Sequence, residues 1–285
     1  MHRTGIVAIS DDGHPVQDSQ VMRRAMEYSR LFYLPVIDHC EDRDLFAGGV
    51  MNEGYHSTAL GLRGINPAAE EIQVIRDAVL SRQTGAQIHI AHLSTRRSLE
   101  AVARAKKEDK IPITCEVTPH HLLLTEAQVS SYDTNTKMNP PLRTQDDVDA
   151  LVRGITSGVI DVIATDHAPH NINDKMLEFD QAPFGVVGLE TAVSLVCDRF
   201  VRTDILSIER MVELFSTNPA RILKLERGTL AKGSIADITV VDMNLKHEVR
   251  SEQFLSRSRN TPFEGWSLNG GPVMTIVKGK VVWSL

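Results

Sequence analysis

Apolar residues fall into short runs separated by stretches of helical spacing. The runs at 5–9, 34–38, 87–91, 112–117 and 159–164 are rich in Ile, Val and Leu and read as buried strands. Between the first two, Val21, Met22, Ala25, Met26 and Ser29 recur on one side of a helix over 19–31, with Ser19 as its N-cap. Residues 67–85 carry proline near the start, Glu70 and Glu71 in the early turns and a glycine at the stop, which predicts a helix. Helices follow at 98–109 and at 144–157, the latter capped by Thr144. Residues 48–64 show little periodicity and read as a long loop, and 171–182 are polar and uneven, which predicts an exposed one. This strand–helix alternation continues to about residue 225 and predicts a parallel α/β architecture. From there the texture changes. Runs at 238–242, 273–277 and 281–283 predict a small separate sheet, with the last two forming a hairpin around Lys278-Gly279-Lys280. The expected division is therefore 1–225 and 226–285.

The polar residues that follow the strands carry the candidate chemistry. Ser10-Asp11-Asp12-Gly13 ends the first, and on that segment alone a tight turn is the preferred reading. Asp38-His39-Cys40-Glu41-Asp42 ends the second, where His39 reads equally as a ligand or as a satisfied polar residue. His92 ends the third, on the same face as Ile90. Thr165-Asp166-His167-Ala168-Pro169-His170 ends the last; Pro169 forces a turn there, and Asp166 reads as a site residue or as a helix cap. In a parallel α/β barrel the C-terminal strand ends carry the chemistry. Two imidazoles and two carboxylates, Asp12, His39, His92 and Asp166, would then converge in a donor set suited to zinc or a similar divalent ion. Such an ion activates bound water and polarises a carbonyl, as amide hydrolysis requires. Five strands, however, do not close an eight-stranded barrel.

Bulk properties narrow the classes. Of the 285 residues 42% are hydrophobic and 24% charged, which fits a soluble globular protein. A net charge of -6, with no basic run, argues against a nucleic-acid surface. No apolar stretch suits a bilayer and no signal peptide opens the sequence, so no membrane association is expected. Three widely spaced cysteines, Cys40, Cys115 and Cys197, suit free thiols in a reducing cytoplasm.

Several segments together resemble the bacterial type I dihydroorotases of the amidohydrolase superfamily. They are Ser10-Asp11-Asp12-Gly13, Asp38-His39-Cys40-Glu41-Asp42, Ala91-His92-Leu93-Ser94, Glu116-Val117-Thr118-Pro119-His120-His121, 137–143, 164–170 and Ala182-Pro183-Phe184-Gly185. The C-terminal Gly228-Thr229-Leu230 and Ala236-Asp237 are similar to the accessory β-sandwich of that superfamily. The resemblance implies a TIM-type (β/α)8 barrel, of which this sequence holds strands 4 to 8, plus part of the sandwich. It implies a zinc-dependent cyclic amidohydrolase that interconverts N-carbamoyl-L-aspartate and L-dihydroorotate in pyrimidine biosynthesis. By motif match Asp12, His39, His92 and Asp166 are the metal ligands, with one or two zinc ions. Asp166 is also the catalytic proton carrier, and Asn139, His170, Phe184 and Gly185 contact substrate. Residues 171–180 would form a mobile loop over the site. The strand-1 signature, His-x-His followed by Arg, is absent from this sequence, which reads as N-terminally shortened. The alternatives are a non-catalytic dihydroorotase-like structural partner of aspartate transcarbamoylase, or a hydantoinase or allantoinase, which Asp12 disfavours. A homodimer is the other expected assembly.

Overall fold

The computed structural model describes residues 4–285. Its strands in chain order are β1 (Ile9–Ser10), β2 (Val36–Asp38), β3 (Met51–Asn52), β4 (Gly64–Ile65), β5 (Ile88–Ile90), β6 (Ile113–Val117), β7 (Val162–Ile163), β8 (Ile238–Glu248), β9 (Ser267–Val277) and β10 (Lys280–Ser284). The central sheet has the order β1-β2-β5-β6-β7, and every pairing is parallel. The expected five strands are all present and lie side by side in sequence order. Among the described residues this sheet does not close on itself, because β1 and β7 each have one neighbour within it. The architecture is thus α/β, with five parallel strands of a barrel and a separate antiparallel sheet.

Helices cover the face of the central sheet on which alternate strand residues are apolar, while the other face carries Ile37, His89, Thr114 and Glu116, with His89 bonded to Thr114 and Glu116. Val36, Ile88, Ile90, Ile113, Cys115 and Val117 are buried together with Met22, Met26, Val74, Leu99, Val102, Leu151 and Ile155 from the flanking helices. Burying each of the larger of these side chains contributes about 1.5–3 kcal/mol. Cys40, Cys115 and Cys197 are free and buried.

Local departures from the sequence reading have local causes. The first helix is Ser19–Arg30, and its cap is Asp18, whose carboxylate accepts from the backbone N–H groups of Gln20 and Val21. Val21 is exposed, while Met22, Met26 and Ser29 form the buried stripe. The first strand is only Ile9–Ser10, not 5–9. Residues 48–64 are not a featureless loop: β3 and β4 pair in parallel around a helix, Tyr55–Leu60. Two-residue strands have no period to detect. Residues 171–182 contain a one-turn helix, Ile172–Lys175, and bury both Lys175 and Phe179. The rest of the segment is exposed as expected, apart from Ala182, which is also buried.

The antiparallel sheet has the order β10-β9-β8. The predicted hairpin forms, with Lys278 and Gly279 both at positive φ between β9 and β10, the conformation that matches strand twist. Strand β9 packs on the helical stretch 192–201. A Cβ on Gly270 would lie 2.8 Å from that of Cys197, and one on Gly271 would lie 2.7 Å from Ser194 Oγ.

Candidate metal centre

Neighbouring strands deliver the site residues. Asp12 follows β1, His39 follows β2 and His92 follows β5, and these strands are adjacent in the sheet. Asp11 ties the first turn to the second, since its carboxylate accepts from Val16 N–H at 2.7 Å and from His39 N–H at 3.1 Å. The side chain of Asp12 is thereby aimed at two imidazoles: Oδ1 lies 3.4 Å from His39 Nδ1 and 3.5 Å from His92 Nε2. The two ring nitrogens are 3.0 Å apart. Both rings are buried, at 4% exposure, and the Asp12 side chain is 59% exposed.

Electrostatics follow this geometry. Hydrogen bonds from His39 and His92 hold the Asp12 carboxyl far below the ordinary carboxylate range, against the effect of partial burial. Burial opposes a charge on His39, yet hydrogen bonds to Asp12 and Glu41 and their negative charge push its imidazole up to about 9. Asp166 follows β7 and stands outside the tight cluster of Asp12, His39 and His92. Burial pushes its carboxyl up, His92 opposes this, and the charges of Asp12 and Glu116 add to the rise. Asp166 therefore shares the field of the cluster without belonging to its contact group.

The residues present fit a divalent cation. Two buried imidazole nitrogens face each other at a distance that admits one hydrogen between them, beside a carboxylate oxygen common to both. A cation in that gap would satisfy all three lone pairs, and nitrogen–oxygen donors of this kind suit zinc and its neighbours. A second buried group, Asp38, Cys40 and Asp77, reads differently. There Arg76 pairs with Asp38 at 3.5 Å and with Asp77 at 2.8 Å, so a cation is already supplied by the chain.

The expected substrate contacts form two sets. Asn139 lies against the metal cluster: its Nδ2 donates to Glu41 Oε2 at 2.6 Å and is 3.4 Å from His39 Nε2. His121 braces this segment, bonding Pro140 O through Nε2 at 2.9 Å and Thr118 Oγ1 through Nδ1 at 2.8 Å. His170, Phe184 and Gly185 form the other set. His170 Nε2 bonds the Phe184 carbonyl at 2.6 Å. Asn260 locks that set, donating from Nδ2 to Ala168 O and Gly185 O, both at 3.0 Å, and accepting from His170 N–H. Lys175 Nζ donates to Pro183 O and Gly185 O at 3.0 and 3.1 Å. Sequence reasoning missed Asn260 and Lys175, which lie far from any strand end and have no local signature. It also missed Glu41 and Glu116. Both stand within the quoted motifs without an assigned role, and Glu116 accepts from His92 N–H at 3.3 Å.

Gly185 has φ +127°, and a Cβ there would sit 2.6 Å from that of Ala168. Gly185→Ala is expected to destabilise the fold by about 1–3 kcal/mol through overpacking and backbone strain. A urea denaturation midpoint equal to that of the unsubstituted chain would contradict this.

The amidohydrolase family model matches residues 16–282. The chain belongs to the amidohydrolase family. Within it, the chain is 50% identical over 286 residues to a dihydroorotase of Endomicrobium trichonymphae, covering 100% of this chain and 68% of that protein. It is also 50% identical to the dihydroorotase of Acetivibrio thermocellus over 278 residues, 98% of this chain and 65% of that one. Among solved amidohydrolase relatives, L-hydantoinase (dihydropyrimidinase) from Arthrobacter aurescens superposes with a TM-score of 0.86 at 25% identity, over 98% of this chain and 64% of that one. D-hydantoinase from Thermus sp. gives 0.82 at 26%, over 94% and 60%. The chain thus spans about two thirds of the length of the relatives it matches. No helix among the described residues of this amidohydrolase is long and apolar enough to cross a membrane.

Proposed function

We propose that this chain carries part of the zinc centre of a dihydroorotase, which interconverts N-carbamoyl-L-aspartate and L-dihydroorotate. The single observation that carries this is the convergence of Asp12, His39 and His92 from adjacent strand ends, in a chain half identical to proteins named dihydroorotase. Asp12, His39, His92 and Asp166 would hold the metal. When bound, zinc supplies an activated water and an electrophile for the amide carbonyl. Asp166, facing the cluster from β7, holds and returns a proton to the ring nitrogen. Asn139 orients the substrate beside His39, and His170 and the Phe184–Gly185 backbone, fixed by Asn260, form the other wall. Residues 1–225 bear the metal site, and 226–285 are the accessory portion, which contributes Asn260 to the substrate wall. The compartment is the cytoplasm, in keeping with three free thiols, and the assembly is a homodimer or a complex with aspartate transcarbamoylase.

The identity to hydantoinases is half that to dihydroorotases, which weighs against hydantoin as substrate. Metal analysis with a dihydroorotate assay tests the proposal. At a zinc concentration 100 times the dissociation constant, the folded chain gains about 2.7 kcal/mol, so the unfolding midpoint rises with zinc and falls on chelation. Turnover of dihydroorotate by the zinc-loaded protein is the expected result. Zinc binding without turnover would favour the non-catalytic structural partner. An unfolding midpoint indifferent to zinc would overturn the metal reading.

A further inference from the structure

We infer that Glu41 is a positioning residue that orients His39 toward a divalent cation while holding Asn139 in place. The inference rests on the metal reading above. Of the two ring nitrogens of His39, Nδ1 points into the cluster, 3.0 Å from His92 Nε2 and 3.4 Å from Asp12 Oδ1. A cation there takes the lone pair of Nδ1, which leaves the ring hydrogen on Nε2. That side of the ring is buried, so an Nε2–H needs an acceptor. Two groups face it. Asn139 Nδ2 is 3.4 Å away, but an amide nitrogen is a donor and cannot accept. Glu41 Oε2 is 3.7 Å away and already accepts from that same Nδ2 at 2.6 Å. One carboxylate oxygen thus accepts from a proposed substrate contact and is the acceptor that faces the second nitrogen of a proposed metal ligand, at 3.7 Å.

Glu41 is built to hold still. Its side chain is 13% exposed. Its backbone carbonyl accepts from Gln17 Nε2 at 2.7 Å, and Gln17 Oε1 in turn accepts from Arg43 N–H at 2.9 Å. The next residue, Asp42, donates its N–H to Ala69 O at 2.9 Å. The segment is therefore clamped on both sides of residue 41. The ring of His39 separates Glu41 from the gap between Nδ1, Asp12 and His92, so Glu41 acts through the histidine and is not itself a ligand.

The test is zinc affinity of the full chain, measured by competition with a chromophoric chelator, with cobalt absorption as a second readout. Glu41→Ala is expected to weaken zinc binding by about 10–100-fold and to alter the cobalt spectrum. Glu41→Gln keeps one acceptor oxygen and the shape, and should fall between Glu41→Ala and the unsubstituted chain. Glu108→Gln, at an exposed carboxylate, should bind as the unsubstituted chain does. Unchanged affinity in both Glu41 variants overturns the inference, and so does a lower metal-free unfolding midpoint with affinity intact. If the unsubstituted chain binds no zinc, the metal reading fails first and this inference with it.

Discussion

Asp166→Asn is expected to lower turnover of dihydroorotate by about 10²–10⁴-fold, the usual contribution of a positioned proton carrier, while zinc binding persists. The two effects separate because Asp166 lies outside the tight group formed by Asp12, His39 and His92. Their mutual contacts of 3.0–3.5 Å do not include residue 166 and are expected to survive the change. Asparagine preserves the size of the side chain and can adopt its backbone conformation, but cannot carry the proton. The measurement is a paired titration: zinc affinity by chelator competition and initial rates on the same preparation. Wild-type rates in the variant would remove Asp166 from the chemistry. Loss of zinc with loss of rate would instead make it a principal ligand.

Arg143→Met is expected to destabilise the chain by about 3–5 kcal/mol, the cost of breaking a buried ion pair from one side. Arg143 is 2% exposed, and its guanidinium lies 3.7 Å from Glu70 Oε2. It donates to Ser94 Oγ at 3.0 Å and to Asn52 Oδ1 at 2.7 Å. Glu70 in turn accepts from Ser94 and Thr95 N–H and from the Ser94 hydroxyl. Burial works against the charge on Glu70, and Arg143 and these donors hold its carboxyl below the ordinary range. Without the arginine that charge is stranded. Because Ser94 and Thr95 follow His92 by two and three residues, the disturbance reaches the site, and zinc affinity should fall too. Urea denaturation of Arg143→Met, alone and with Glu70→Gln, checks this. The double variant should recover part of the loss, and a single-variant effect under about 1 kcal/mol would contradict the assignment.

Much of this site was legible because parallel strands announce themselves. Their apolar residues are set by burial against the helices, and the residues just after each run are polar. Asp12, His39 and His92 were found that way, and adjacency of β1, β2 and β5 turned three separate guesses into one contact group. Asp166 was found by the same rule but stands apart from the cluster, because its strand lies two positions further along the sheet. What escaped notice depends on the fold. Asn260 comes from the stretch between β8 and β9, 92 and 75 residues from the carbonyls it binds, and no spacing rule links them. The strands within 48–64 are too short to show alternation, and the segment 171–182 hides three buried residues, Lys175, Phe179 and Ala182, among exposed ones. Glu41 was in plain view, but an acid two residues beyond a histidine gains meaning only when the ring's second nitrogen is seen to face it.

His92 and Asp166 share one further property: both are non-glycine residues at positive φ, +28° and +46°. Such conformations carry an energetic penalty of roughly 1–3 kcal/mol each, and glycine would relieve it at either position. A screen of random variants for heat resistance alone should therefore enrich glycine at 92 and 166, and on the roles proposed above the resulting proteins would neither grip zinc well nor move a proton. On that proposal, robustness and reactivity are set against each other at two identifiable backbone angles.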